Sequence, residues 1–341
     1  MGDFFGQVIC GFSQVTQTVR PLRENSMELD KIITGDSAVV LQSFPPDCID
    51  LTVTSPPYDN LRTYNGFTFD FETIARQLFR VTKAGGVVVW VVGDSTVNGS
   101  ESGTSFKQAL FFKECGFNLH DTMIYKTNKP PLTHNRYEQE FEYMFVFSKG
   151  TLKTFNPIMI KSNWAGTGTQ GTFRQDATGR QERAHNQKLI SDKRIKGNIW
   201  HIPSGNGKGT KDSYIFEHPA TFPESLASDH ILSWSNEGDI VLDCFTGSGT
   251  TLKMAKMLNR HYLGIEISPE YVTLAEKRLL ATPVPLFGQG RGLTLPAPDG
   301  GDSTPSQALS TPDMFSAIEH EPTPPPAGKA YRWADCSTER R

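Results

Sequence analysis

The sequence predicts an α/β domain with a mostly parallel sheet and helices on both faces, and three observations carry that prediction. Val87–Val92 is an unbroken apolar run, the pattern of a strand buried on both faces of a parallel sheet. Short apolar runs alternate with longer amphipathic segments from about residue 32 to 150 and again from about 222 to 281, the rhythm of β–α units. In the second stretch, Ile240–Asp243 leads into Gly247-Ser248-Gly249 and then a helix-forming segment.

In chain order, Ile32-Ile33 reads as a short strand, and Asp36 or Ser37 caps a helix expected to run through Phe44. Cys48–Thr54 is β-rich and stops at Pro56-Pro57. Phe71–Arg80 is an amphipathic helix that Gly85-Gly86 is expected to close. After the strand Val87–Val92 come a helix from Phe106 to Cys115, ended by Gly116, and a strand over Tyr143–Phe147. Residues 151–213 lose the rhythm, are rich in Gly, Thr, Asn, Gln, Lys and Arg, and read as an insert in the sheet domain. The rhythm returns with a helix over Phe222–Trp234, the strand Ile240–Asp243, a helix from Thr250 to Leu258, a strand over Tyr262–Glu266 and a helix from Pro269 to Leu280. From about Thr282 the chain holds 10 of its 22 prolines, the composition of a disordered tail. Residues 1–26 show no period, and Met27 reads as an alternative start. The expected organisation is an extension over 1–26, two halves of one sheet domain over 27–150 and 214–281, the insert over 151–213 and the tail over 282–341.

Composition narrows the function classes. No apolar run approaches the ~18 residues of a membrane span, and the N-terminus lacks the basic start and apolar stretch of a signal peptide, so a cytoplasmic protein is expected. Cys10, Cys48, Cys115, Cys244 and Cys336 are scattered and odd in number, which argues against a disulfide framework or a zinc site. The net charge of -3 conceals an asymmetry. Between Lys149 and Asp212 stand 12 Lys and Arg against 4 acids, a local balance of about +8 that leaves about -11 elsewhere. A basic segment on an acidic protein is a footprint for a polyanion. Its candidate contacts are Lys161, Arg174, Arg180, Arg183, Lys193, Arg194 and Lys196.

Two motifs carry the chemistry. In the first, the strand ending at Asp243 feeds Phe245-Thr246-Gly247-Ser248-Gly249, where glycines let the backbone turn and approach a ligand. Glu266 ends the next strand about 20 residues on, placed to accept hydrogen bonds from two ribose hydroxyls. No Gly-Lys-Ser/Thr follows, so a nucleoside-like cofactor without a pyrophosphate fits better than NAD or ATP. In the second, a strand delivers Ser55-Pro56-Pro57-Tyr58 to the same carboxyl edge. An aromatic amine is a poor nucleophile because its lone pair is delocalised. The Ser55 hydroxyl and the Pro56 carbonyl can accept its two N–H groups and draw the nitrogen toward tetrahedral geometry. Proline rigidity preserves the attack distance, and Tyr58 offers a flat face to an unstacked base.

Together these motifs resemble the DNA amino-methyltransferases, which carry an Asp/Asn/Ser-Pro-Pro-Tyr loop and a Phe-x-Gly-x-Gly loop. The catalytic loop comes first here, with the basic segment between the two, an order similar to the permuted β class. The resemblance covers about residues 30 to 280. It implies a Rossmann-like methyltransferase fold with circularly permuted motif order and S-adenosylmethionine as cofactor. It also implies that Asp36 lies by the adenine and His218-Pro219 by the methionine part. By the same resemblance Asp243, Phe245, Gly247, Ser248, Gly249, Thr250, Thr251 and Glu266 line the rest of the site, with no metal. Asn128–Pro131 and Glu138–Phe147 resemble the target-base side. Ser before Pro-Pro leans toward the cytosine amine, so N4-cytosine is the expected target and N6-adenine the alternative. Double-stranded DNA is the expected partner, a homodimer the expected assembly, and a cognate restriction endonuclease a further partner of such enzymes. Two rivals remain. An RNA or protein methyltransferase with a Pro-Pro-Tyr loop would place the cofactor loop first, the reverse of this chain. A silent DNA-binding module would be expected to show degraded loops, and neither loop is degraded.

Overall fold

The computed structural model describes residues 27–57, 69–127, 137–167, 173–175, 178, 181–183, 189–203, 212 and 223–283. Strand β1 (Lys31–Thr34) leads to the short helix α1 (Ser37–Val40), whose first turn is capped by the Asp36 side chain accepting from Ala38 N at 2.8 Å. The α-helix does not reach Phe44: it tightens into a 3-10 turn over Leu41–Ser43, and the Arg80 guanidinium takes up the Leu41 and Phe44 carbonyls that this leaves. Strand β2 (Ile49–Thr54) and helix α2 (Phe71–Val81) follow, α2 capped by Asp70 and burying Ile74, Ala75, Leu78 and Val81.

Gly85-Gly86 does not close α2. The helix ends at Val81, where the Thr82 hydroxyl donates to the Leu78 carbonyl, and the chain enters β3 (Thr82–Val92) at once. Both glycines lie inside that strand because backbone comes too close for a side chain. A Cβ on Gly85 would sit 3.0 Å from the Thr151 carbonyl oxygen, and one on Gly86 would sit 2.9 Å from the Asp50 carbonyl oxygen. A small hairpin of β4 (Thr96–Val97) and β5 (Ser100–Glu101) precedes α3 (Thr104–Glu114), which starts two residues before Phe106, behind a left-handed Gly103.

The next strands depart most from the expectation. β6 (Asn118–Lys126) is a full strand that the sequence did not announce, and β7 extends beyond Tyr143–Phe147 to Phe141–Ser148. Within the basic segment, β8 (Met159–Lys161) pairs with β11 (Lys193–Ile195), and β9 (Phe173–Gln175) with β10 (Gln181–Arg183). β12 (Ile199–His201) joins the main sheet, so the segment is anchored on the core before residue 213. Helix α4 (Glu224–Trp234), strand β13 (Ile240–Asp243), helix α5 (Thr250–Met257), strand β14 (His261–Glu266) and helix α6 (Pro269–Ala281) complete the domain.

Eight strands form one sheet in the order β1-β14-β13-β2-β3-β7-β6-β12. Every pairing is parallel except those of β7 with β3 and β6. One face is covered by α4, α5 and α6 around Leu226, Ile231, Leu252 and Leu279. The other is covered by α1, α2 and α3 around Leu41, Leu78, Trp90 and Phe112. This is the Rossmann-like architecture, with helices on both faces. From β13 the chain crosses to β14 on one side, and from β2 it crosses to β3 on the other. The β13–β2 seam is therefore the point where the winding reverses, and the crevice outside its carboxyl ends is where open α/β sheets bind ligands. Among the described residues no helix is long and apolar enough to cross a membrane.

Candidate active site

Four neighbouring parallel strands deliver the candidate residues to one edge. Asp36 follows β1, Glu266 ends β14, Asp243 ends β13 and leads into the glycine loop, and Ser55-Pro56-Pro57 follows β2. The Gly35 amide donates to the Glu266 carbonyl at 2.9 Å, which holds the Asp36 turn beside β14. Asp36 itself is exposed beyond its cap.

The glycine loop is shaped by its own hydrogen bonds. Gly247 (φ 49°) and Gly249 (φ 77°) adopt left-handed conformations, and a Cβ on Gly249 would sit 3.0 Å from Ala275 Cβ. The loop folds back on Glu266, whose Oε2 accepts from Gly247 N at 2.8 Å while Oε1 accepts from Ser268 N at 3.0 Å. Burial raises the Glu266 pKa, against those backbone N–H groups. With Ile267 N as a third backbone donor, the carboxylate keeps lone-pair capacity for a further one. Phe245 is half-buried, its ring 5.3 Å from Phe69 and 6.1 Å from Trp90.

Asp243 is fully buried. Its Oδ1 accepts from the Thr54 hydroxyl at 2.6 Å and from Phe245 N at 3.1 Å. Burial pushes its pKa up to about 6, partly offset by those hydrogen bonds. Ser55 is half-buried, Pro56 buried and Pro57 half-buried. The hydroxyls of the Gly-Thr-Thr segment face inward: Thr251 donates to the Val53 carbonyl at 3.2 Å, and Thr250 accepts from Arg278 at 2.9 Å. What these residues offer a ligand is the backbone N–H set at the α5 N-terminus.

Arg278 is the residue that sequence reasoning missed. Its side chain is 1% exposed and joins four segments. It donates to the Ser248 carbonyl at 3.1 Å, Thr250 Oγ1 at 2.9 Å, Asp212 at 2.8 Å and Glu224 at 2.6 Å. Lys253 pairs with the same two carboxylates at 2.7 and 2.8 Å. An arginine on a helix carries no sequence signal that it points inward.

In the basic segment, Lys161 and Lys193 stand directly opposite across β8–β11, both exposed, and Arg194 beside them is exposed too. Lys196 differs: its ammonium is 2.8 Å from Asp229 and 4.2 Å from the Trp200 ring centroid, so it serves the core. Tyr58, Asn128–Pro131, Arg180, His218 and Pro219 lie outside the described residues, as do the side chains of Arg174 and Arg183, the extension 1–26 and the tail beyond 283.

The chain is similar in sequence and fold to known proteins. The DNA methylase family matches residues 49–277, well over half of the chain. The orphan methyltransferase M.BamHII of Bacillus amyloliquefaciens is 58% identical over 238 residues, 68% of this chain and 89% of that protein. A protein of Thermus thermophilus assigned as a DNA modification methylase, solved in complex with S-adenosyl-L-methionine, superposes with a TM-score of 0.52 at 26% identity, covering 75% of this chain and 95% of that one. The cytosine-N4-specific PvuII DNA methyltransferase shares the fold, with a TM-score of 0.53 at 21% identity over 74% of this chain and 87% of that one. The chain belongs to the DNA methylase family, enzymes that transfer a methyl group from S-adenosylmethionine to DNA.

Proposed function

We propose that the protein methylates the exocyclic amine of a base flipped out of duplex DNA, with cytosine N4 as the target atom. The observation that carries this reading is the seam between β2 and β13. It sets Ser55-Pro56 beside the glycine loop, with Thr54 and Asp243 in contact at 2.6 Å beneath them.

The residues present fit a sulfonium nucleoside. Glu266 is buried, keeps acceptor capacity, and owes its raised pKa to burial, with no lysine or arginine charge acting on it among the described residues. A buried carboxylate without a cationic partner suits ribose hydroxyls and a positively charged cofactor, and it disfavours a pyrophosphate. Glu266 and Asp36 would hold the nucleoside, and the α5 N-terminus would hold the carboxylate of the amino-acid part. When bound, the cofactor supplies a methyl group activated by its sulfonium.

The chain's own residues prepare the acceptor. The Ser55 hydroxyl and the Pro56 carbonyl take the two N–H groups of the base amine and localise its lone pair. The new N–C bond forms as the S–CH3 bond breaks, with S-adenosylhomocysteine as the leaving group and the amine's extra proton passing to solvent. Unstacking the base costs on the order of a few kcal/mol, which phosphate contacts offset. Lys161 and Lys193 are directly opposite across β8–β11 and both exposed, and this local concentration of positive charge supports a phosphate contact there. Serine before Pro-Pro supports cytosine over adenine. Likeness to an orphan methyltransferase supports a solitary enzyme over one paired with a nuclease.

The experiment is nucleoside mass spectrometry of plasmid DNA from cells expressing the protein. N4-methylcytosine supports the full reading, N6-methyladenine overturns the base assignment alone, and the absence of both overturns the reading.

A further inference from the structure

Backbone pairing between β13 and β2 runs through Val241–Leu51 and Leu242–Thr52. Past that point the strands separate into the two functional loops, and the described contacts across the seam are made by side chains. Thr54 Oγ1 donates to Asp243 Oδ1 at 2.6 Å, the same oxygen accepts from Phe245 N at 3.1 Å, and Thr251 Oγ1 donates to the Val53 carbonyl at 3.2 Å. Thr54 and Thr251 are 0% exposed and Asp243 is 1% exposed, so water does not compete for these bonds. Thr54 is bonded directly to Ser55 in the chain, and Phe245 opens the glycine loop.

We propose that the Thr54–Asp243 hydrogen bond is a positioning element that fixes the separation between the amine-holding loop and the cofactor loop. The inference rests on the amine-methylation reading above. It moves Asp243 from the cofactor-contacting set to a residue that acts through its neighbours, because Asp243 is 1% exposed and its Oδ1 is occupied by Thr54 and Phe245. The arrangement is unfavourable for stability alone. A buried carboxyl whose only charged influence is another acid, Glu266, resists ionisation. An apolar pair of equal volume would hold two strands together at lower cost. What the carboxyl supplies that an apolar pair does not is direction. One oxygen receives a donor from each loop, so a shift of either loop stretches a short hydrogen bond in a site without water. Methyl transfer needs the amine and the methyl carbon in line at contact distance, and displacement of about 1 Å costs on the order of 100-fold in rate.

The test is Thr54→Val, which keeps the shape of the side chain and removes the donor, with Thr54→Ser returning the donor. Thr54→Val is expected to lower kcat by roughly 10- to 100-fold at saturating DNA and cofactor. The Kd for S-adenosylmethionine, measured by calorimetry without DNA, stays within about threefold, because the groups facing the cofactor are untouched. Amide exchange at Phe245 speeds up by about tenfold or more as its acceptor loosens. Thr54→Ser returns kcat to within about threefold of the parent. The proposal is overturned if Thr54→Val keeps the parent kcat, if cofactor affinity falls in step with kcat, or if the serine variant does no better than the valine. Ser55→Ala, assayed in parallel, separates the two claims: full turnover in that variant defeats the role given to Ser55, and it leaves the Thr54→Val result to be read by itself.

Discussion

Replacing Arg278 with Met tests whether the cofactor loop is held from behind. The side chain is 1% exposed, and methionine fills much of its volume while removing every donor. Breaking a buried ion pair costs about 3–5 kcal/mol. Two features lower that figure: Asp212 and Glu224 are each 22% exposed, and Lys253 still pairs with both. A loss of about 2–3 kcal/mol remains, a fall of roughly 5–10 °C in melting temperature for a domain of this size. The Ser248 carbonyl and the Thr250 hydroxyl lose their common donor, so the loop loosens and cofactor affinity should fall about tenfold, or 1.4 kcal/mol. Arg278→Lys keeps the charge without the planar fork and should lie between the two. Acid titration adds a signature. Burial by itself would raise the Asp212 pKa, but Lys253 and Arg278 outweigh it and hold the carboxyl below its ordinary range. The network's stability is thus present at neutral pH and lost as pH falls through that depressed pKa. The Met variant should show a smaller acid-dependent loss. Scanning calorimetry and cofactor titration give both numbers. A Met variant that melts within about 2 °C of the parent and binds cofactor equally well refutes the reasoning.

Four other outcomes are expected. Ser55→Ala should retain cofactor binding and lose turnover by about 100-fold or more, checked by methyl incorporation and calorimetry. Asp243→Asn should be more stable than the parent at pH 8. A carboxyl with its pKa raised to about 6 destabilises the fold above that pH and not below its unfolded value. The difference, about 3 kcal/mol at 1.36 kcal/mol per pH unit, should vanish near pH 4 in denaturant titrations. Neutralising Lys161, Lys193 and Arg194 together should lower the slope of log K against log salt by up to about 2.7 for DNA binding, whereas Lys196→Gln should leave it unchanged. Among the described residues, Thr52 Oγ1 is a buried hydroxyl without a hydrogen-bond partner, so Thr52→Val should raise stability by about 1 kcal/mol, seen as a higher urea midpoint.

The parallel core was legible in the sequence because its strands are buried on both faces and therefore written as apolar runs. Val87–Val92, Ile240–Asp243 and Tyr262–Glu266 all fall inside observed strands. Both loops were legible because glycine and proline mark backbone that side chains do not allow. β6 was not, since its residue types follow no period of two although its burial does: His120, Asp121 and Thr122 stand together as a polar run before the contiguous Met123-Ile124-Tyr125, and the early positions Asn118, His120 and Thr122 are exposed. β12 is three residues long within a basic stretch, and only Trp200 is buried. Its place follows from pairing with β6, a contact made far along the chain. The glycine pair at 85–86 misled for a related reason: a glycine required by a close tertiary approach looks like one required by a helix end. The inward turns of Arg278 and Lys196 are likewise set by partners distant in sequence.

The placement of α6 bears on how such a chain can be ordered at all. Parallel strands begin at the edge opposite the active site, and each helix returns the chain to that edge. α6 returns there too, packed against β14 and β1, the strand with which the described fold begins. Head and tail of the fold are thus neighbours, and the domain is close to a closed circuit. Where such a circuit is opened alters which loop is synthesised first and leaves the assembled crevice the same, so the order of motifs along the gene is a property of the opening and not of the chemistry.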